Sequence, residues 1–419
     1  MQRKKLVIGL FGFGCVGNGL YEVLEKTAGL KANIKKIVVK TKNKNRSISS
    51  EYFSYDKNDI LHDPEINVVV ELIDDADAAF DIVSAALKNG KAVVSANKKM
   101  IAEHFTELLE LQKQYKVPLL YEAACCASIP IIRNLEEYYD NDLLESIEGI
   151  VNGSTNYILT KTFSENITYE KALKEAQEKG FAETDPSLDT GGFDAKYKLL
   201  ILLAHAFGIV AKPENIFNFG IDHIGELELK YAREKNLKIK LIAQAYKTKD
   251  GGIACFVIPK FIGSLNKLYT VDDVYNGLSL KTSFSDTQFF AGKGAGSYPT
   301  ASAVLSDISA LSYGYQYEYK KINQSEELKL SQDILLKVFI RHRKEHAGLY
   351  RLYFEEIEES YLNQHAGFII GNISLKSLNE IANKKNANHS FILFEPVTKI
   401  VETVGLKKTE NKLTLESIT

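Results

Sequence analysis

Cysteine, net charge and long apolar runs are all scarce in this sequence, and each scarcity removes a class of protein. Four cysteines stand among 419 residues, Cys15, Cys125, Cys126 and Cys255. They show no CxxC spacing, and the adjacent two would bridge each other only under strain, so the pattern reads as reduced thiols in a cytoplasmic protein. Fifty-two basic residues balance 54 acidic ones, for a net charge of −2. Such a balance gives no bulk electrostatic reason to expect nucleic acid or an anionic membrane surface, and points to a small-molecule partner. The longest apolar run, Leu199 to Val210 (LLILLAHAFGIV), has a histidine inside it and is too short to cross a bilayer, though right for a buried helix. Internal repeats and low-complexity tracts are absent. What remains, 45% hydrophobic and 25% charged, is ordinary globular composition with room for two or three domains.

The chain opens on the basic MQRKK, and residues 9–20 then read GLFGFGCVGNGL. A positive start before an apolar run is the outline of a leader peptide, but this run carries five glycines and no small-x-small cleavage signal follows. The better fit is a loop. Gly12, Gly14 and Gly17 spell GxGxxG between the apolar Leu6–Leu10 and the amphipathic Val16–Leu24, the strand–turn–helix of a dinucleotide site. The first glycine permits the tight bend, the second lets backbone approach a pyrophosphate, and the third lets helix pack close on strand. Phe13, Cys15 and Val16 complete the turn.

From residue 5 to about 122, short β-rich runs alternate with helical ones: strands at 6–10, 34–40, 68–72, 92–95 and 118–121, helices from Ala76 and Lys99. Such alternation predicts a parallel sheet wrapped by helices, an α/β Rossmann-type domain over 1–135. The polar stretch 41–64 reads as a loop. Beyond 140 come longer helices and alternating strands such as Leu237–Ala245 and Gly252–Ile258, predicting an α+β substrate and dimerisation domain over 136–296. Pro299–Leu311 reads as a helix with proline in its first turn, returning from about 297 to complete the first domain. Residues 325–419 read as a small C-terminal α+β unit.

A dinucleotide domain of this type carries an acidic residue about twenty positions past the glycines, where it bonds the ribose of NAD. Here Lys26 to Ser50 contains no Asp or Glu, while Lys35, Lys36, Lys40, Lys42, Lys44 and Arg46 crowd the second strand and its exit. A missing carboxylate removes repulsion against a 2′-phosphate, and Lys40 and Lys42 above all can pair with one. NADP is favoured over NAD. The competing reading is a solvated face of a lysine-rich protein.

Farther along, Phe193–Phe207 carries apolar residues at 199, 200, 203 and 207, which predicts a helix with Asp194 and Lys198 at i and i+4 on one face. Glu183, Asp185 and Asp189 lie just upstream in a loop, so carboxylates and an amine can converge. Carboxylates suit a substrate with an α-amino group, and an amine suits proton donation to a carbonyl being reduced. By spacing alone the pair also reads as a surface ion pair.

Four stretches decide among these readings: SANKK at 95–99, GIVNGSTNYIL at 149–159, GFAETDPSLDTGGFDAKYKLLILLA at 180–204 and GKGAGSYPTASAVLSDI at 292–308. With the GxGxxG opening, and in this order, they resemble homoserine dehydrogenase over residues 5 to 310. The resemblance implies interconversion of aspartate β-semialdehyde and homoserine with a nicotinamide cofactor, in the branch leading to threonine and methionine. It implies that Lys198 donates the proton, that Asp194 beside it binds the hydroxyl, and that Lys98 is a second lysine at the junction of cofactor and substrate. Glu183 would hold the substrate ammonium with Asp189 alongside, Gly153, Ser154 and Tyr157 would wall the substrate, and Gly294 and Ala295 would close over the nicotinamide. It further implies a sodium ion on the main-chain carbonyls of Glu122, Cys125, Ala127 and Ile129, and a homodimer through the second-domain strands.

Asp74-Asp75 stands where the family has a glycine pair, and EAACCASIP at 122–130 departs from its small-residue pattern. The C-terminal unit lacks the family's Asp-x-Pro-Gly-like turn and is open between a diverged amino-acid-binding domain and a β-rich cap. Two other functions compete. A cofactor-sensing homologue without chemistry would be expected to lose Lys198, Asp194 or Glu183, and a phosphorylating semialdehyde dehydrogenase needs a thiolate with a histidine partner, for which these cysteines offer no evident place.

Overall fold

The computed structural model describes residues 5–396 apart from 28, 43, 142, 325–327 and 385–388; the MQRKK opening, except its last lysine, and the end of the C-terminal unit lie outside these. Six strands, β1 (Leu6–Phe11), β2 (Ala32–Val38), β3 (Phe53–Ser54), β4 (Val68–Glu71), β5 (Ala92–Ser95) and β6 (Leu119–Leu120), pair in the order β3-β2-β1-β4-β5-β6. All are parallel. Helices cover both faces of such a sheet, which is why its central strands are continuously apolar, with Val68, Val69 and Val70 fully buried. The order reverses between β1 and β4, and ligands bind such sheets outside the carboxyl ends at that point.

The stretch 41–64 is more ordered than its polarity predicts. It contributes edge strand β3 and a short helix, Asn58–Leu61, because two apolar residues, Ile60 and Leu61, are buried there. Ile60 packs so close to Gly9 that a Cβ on the glycine would meet it at 2.3 Å. Two apolar positions are too few to produce a visible period.

The second sheet is built from β7 (Leu144–Ile150), β8 (Phe217–Asn218), β9 (Lys238–Lys247), β10 (Ile253–Ile262), β11 (Tyr275–Thr282), β12 (Asp286–Lys293), β13 (Leu335–Arg343), β14 (Phe354–Leu362), β15 (Ala366–Ser374) and β16 (Ser390–Pro396). Its order is β12-β11-β7-β9-β10-β16-β13-β15-β14, with β8 beside β10. The C-terminal strands, with helices Ala347–Arg351 and Leu375–Ala382 between them, follow a β-α-β-β-α-β order, the split βαβ motif. They continue the second sheet through a parallel contact of β16 with β10, at Lys260 and Leu393. The helix Ser297–Leu311 returns to the first sheet and packs on helix Cys15–Glu25, where Ser297 Oγ donates to the Cys15 carbonyl at 2.7 Å. Among the described residues no helix is long and apolar enough to cross a membrane.

Candidate active site

The glycine turn follows β1 at the switch point. Gly12 has φ +91°, and a Cβ there would stand 2.5 Å from the Leu72 carbonyl; one on Gly17 would stand 2.5 Å from the Gly12 carbonyl. Gly14 faces open space, with nothing within 4 Å of an added Cβ. Helix Cys15–Glu25 begins there with no acidic residue in its first turn, so its free N–H groups and partial positive charge face a gap that suits a pyrophosphate. Phe13 packs edge-on against Tyr21 and Phe53, and Val16 is half-buried. The turn at Gly294 and Ala295 leads into Ser297 and so abuts this loop. Lys40 and Lys42 are exposed at the exit of β2, with Lys42 Nζ 5.4 Å from the centroid of Tyr55. Asp75 is occupied as a helix cap, accepting from Ala78 N at 3.0 Å, so half of the departure at Asp74-Asp75 has a local purpose.

At the carboxyl ends of β4 and β5 a buried chain of hydrogen bonds fixes the next segment. Glu71 accepts from Ile73 N at 2.7 Å and from Ser95 Oγ at 2.5 Å; burial raises its pKa to about 7. Ser95 Oγ also accepts from Asn97 N, and Asn97 caps helix Lys98–Glu103 through Met100 N at 3.0 Å. Lys98 is thereby held at the helix start, its side chain 41% exposed, with Nζ 3.0 Å from Asp194 Oδ1.

Asp194 is buried in the first turn of helix Phe193–Phe207 and gathers the cluster. Lys198 Nζ donates to its Oδ2 at 2.7 Å and to the Val151 carbonyl at 2.7 Å. Asn152, the N-cap of helix Gly153–Ser164, donates to Asp194 Oδ2 at 2.8 Å and to Asp189 Oδ1 at 2.7 Å. Burial opposes charge on Asp194, but Lys198, Lys98 and the Asn152 amide outweigh it and hold the carboxyl well below the usual range. Burial also opposes charge on Lys198, and the Asp194 carboxylate outweighs it and keeps the ammonium above its ordinary value. For Asp189, burial and then the Asp194 charge push its pKa up. Asp194 and Lys198 are therefore not a surface pair: both are more than nine-tenths buried.

The other anticipated residues are spread more widely. Gly153 opens its helix, Ser154 Oγ donates to the Phe181 carbonyl at 2.5 Å, and Tyr157 is buried with its hydroxyl on Lys179 Nζ. Asp185 turns back onto Ser187 N, so only Asp189 of the loop carboxylates joins Asp194; Glu183 is exposed nearby. The Glu122 carboxylate accepts from Ile132 and Arg133 N–H groups, and burial and Asp307 raise it to about 8. Cys126 and Ala127 adopt left-handed φ of 54° and 34°, a turn that L residues hold under strain. The Glu122 carbonyl accepts from Cys125 N and the Ile129 carbonyl from Ile131 N, which leaves each a second lone pair. Burial raises the thiols of Cys125 and Cys126, the latter to about 11, so neither is a ready thiolate. Asn152 and Glu71 went unanticipated; a residue of the Ser/Thr/Asp/Asn class before a helix signals the cap at Asn152, but not its amide contacts.

Residues 12–122 match the family model described as the NAD-binding domain of homoserine dehydrogenase, and residues 130–309 match the model described as homoserine dehydrogenase. The chain belongs to the homoserine dehydrogenase family. The homoserine dehydrogenase of Helicobacter pylori is 38% identical over 314 residues, 73% of this chain and 74% of that one. A crystal structure of the Thiobacillus denitrificans homoserine dehydrogenase covers 94% of this chain and 98% of that one at TM-score 0.83 and 28% identity. A hyperthermophilic archaeal homoserine dehydrogenase in complex with NADPH covers 75% of this chain and 99% of that one at TM-score 0.65 and 28% identity. As a homoserine dehydrogenase the chain is an oxidoreductase with an N-terminal NAD(P)-binding domain.

Proposed function

We propose that this homoserine dehydrogenase reduces L-aspartate 4-semialdehyde to L-homoserine with NADPH, on the way to threonine and methionine. The observation that carries the reading is the pair of lysines on opposite oxygens of one buried carboxylate: Lys98 on Asp194 Oδ1 and Lys198 on Oδ2. A nicotinamide dinucleotide with its pyrophosphate at the glycine turn would supply hydride to the aldehyde carbon. Lys198, kept charged by Asp194, donates a hydrogen bond to the carbonyl oxygen and then its proton. An alkoxide is about as basic as hydroxide, whose conjugate acid has a pKa of about 15.7, so the transfer is downhill even from a lysine of raised pKa. Asp194 orients the lysine and then the product hydroxyl. Asp189 and Glu183 face the ammonium, Gly153, Ser154 and Tyr157 support that wall, and Lys98 bridges the cofactor and substrate sides.

NADP is preferred because Lys40 and Lys42 stand where a carboxylate would repel the 2′-phosphate. The carbonyls of Glu122, Cys125, Ala127 and Ile129 can take a sodium ion, those of Glu122 and Ile129 on the lone pair left after one backbone bond. We assign residues 1–135 with helix 297–311 to the cofactor domain, 136–296 to substrate binding and dimerisation, and 325–419 to a C-terminal unit, whose described elements between Leu335 and Pro396 follow the split βαβ order. The partner is a second copy of the chain, paired through the second sheet, and four free thiols suit the cytoplasm. The cofactor-sensing alternative has no support, since Lys198, Asp194 and Glu183 are all present.

The test is NADPH oxidation with aspartate semialdehyde by the full chain, beside the same assay with NADH. Turnover with a lower KM for NADPH supports the reading; no turnover with either cofactor contradicts it.

A further inference from the structure

Asn276, the second residue of β11, carries an amide to which the fold gives no task. It is wholly buried, and among the described residues neither Oδ1 nor Nδ2 has a hydrogen-bond partner. Gly294 lies flat against it: a Cβ added there would stand 2.1 to 2.2 Å from Cγ, Nδ2 and Oδ1, so only glycine can cover the amide. The Cys126 thiol is its neighbour on another side; burial raises that thiol to about 11, while Lys198 and the Asn276 amide oppose the rise. A thiol is too weak a donor and acceptor to satisfy an amide. A donor and an acceptor left unpaired side by side in a core are costly, and a site that keeps both points to a ligand that pairs with both.

The neighbours narrow the class of ligand. Gly294 leads into Ser297, whose Oγ holds the Cys15 carbonyl of the glycine turn, and Cys126 lies in the field of Lys198 and Asp194. The amide therefore stands between the pyrophosphate turn and the proton donor, where a nicotinamide must lie to pass hydride to the carbon whose oxygen Lys198 protonates. A cation would serve Oδ1 and oppose Nδ2, and a carboxylate would do the reverse. A carboxamide presents donor and acceptor side by side and meets both, as Asn and Gln meet the edge of adenine. The adenine of the cofactor itself belongs at the far end of the dinucleotide, by the exit of β2. We propose that Asn276 binds the nicotinamide carboxamide, Nδ2 donating to its oxygen and Oδ1 accepting from its NH2, as the backbone cover at Gly294 moves aside. This rests on the cofactor reading above and adds to it the residue that pins the ring against rotation about its bond to ribose.

Calorimetric titration of the full chain with NADP+ and with its 3-acetylpyridine analogue, in which a methyl replaces the carboxamide NH2, tests this. The parent should bind NADP+ at least tenfold more tightly than the analogue. Asn276→Leu, close to the parent in shape, should bind NADP+ at least tenfold more weakly than the parent and the two ligands within twofold of each other, and it should melt no lower than the parent because it removes two unpartnered polar groups from the core. The proposal is overturned if the parent binds both ligands within twofold, or if Asn276→Leu separates them as the parent does. NADP+ that fails to bind the parent at all would overturn the cofactor reading as well, whereas NADP+ that binds without discrimination overturns this proposal alone. Should Asn276→Leu fail to fold, the smaller Asn276→Ala takes its place under the same criteria.

Discussion

Lys98 Nζ stands 3.0 Å from Asp194 Oδ1, so a lysine at the end of the first sheet is held by a carboxylate from a helix of the second domain. The two helices are also tied by Tyr197, whose hydroxyl donates to Glu103 at 3.2 Å. The groups proposed to react are thus brought together where helix Lys98–Glu103 meets helix Phe193–Phe207, and the predictions follow from that geometry.

Asp194→Ala removes the counter-charge of a buried lysine. Breaking a buried pair from one side costs about 3–5 kcal/mol, so the variant should melt well below the parent and lose on the order of a hundredfold or more in turnover. Asp194→Asn keeps the volume and one acceptor oxygen but not the charge, so it should recover only part of the stability and little of the activity. Thermal melts beside kcat for both variants separate the two effects; an Asn variant as active as the parent would refute the role of the charge.

Asn152 joins cap and site in one side chain. Asn152→Ser keeps a side-chain oxygen for Thr155 N but loses the amide that donates to Asp189 and Asp194. Stability should fall by about 1 kcal/mol or less, the scale of exchanging good caps, while the KM for aspartate semialdehyde rises at least tenfold. A KM within twofold of the parent would show that Asn152 only caps its helix.

Lys40→Ala combined with Lys42→Ala should raise the KM for NADPH about tenfold and leave that for NADH within twofold, since each charged hydrogen bond contributes about 1.5–3 kcal/mol before solvent screening at these exposed positions. Equal effects on both cofactors would move the 2′-phosphate elsewhere.

The pH dependence follows from two directions. Lys198 lies above its ordinary value, so homoserine oxidation, which needs the neutral amine, should rise with pH between about 7 and 10, while reduction, which needs the ammonium, should stay flat until higher pH. Asp194 lies below its ordinary value, so its contribution to stability is complete above about pH 4, the unfolded carboxyl value, and is lost as pH falls toward its folded value. Rate profiles in both directions and acid melts check the signs.

Much of this site is legible in the sequence because its signals are local. GxGxxG after an apolar run, and Asp194 with Lys198 four residues on, need only one turn and one helix. Asn152 meets Asp189 and Asp194 across 37 and 42 positions, and no periodicity carries information over that span. The same holds for β16, which joins β10 at Lys260 and Leu393, so that the C-terminal strands read as a separate unit. Tertiary pairing of this kind is fixed by packing, not by local pattern.

The central claim is that Lys198 is the charged donor, and Lys198→Ala tests it most directly. Turnover with saturating NADPH and aspartate semialdehyde should fall on the order of a hundredfold or more, the scale of a positioned acid, while NADPH affinity followed by cofactor fluorescence stays within about twofold because the glycine turn is untouched. Glu183→Ala, measured beside it, should mainly raise the substrate KM. Near-parent turnover in Lys198→Ala would contradict the account and move the proton donor to Lys98.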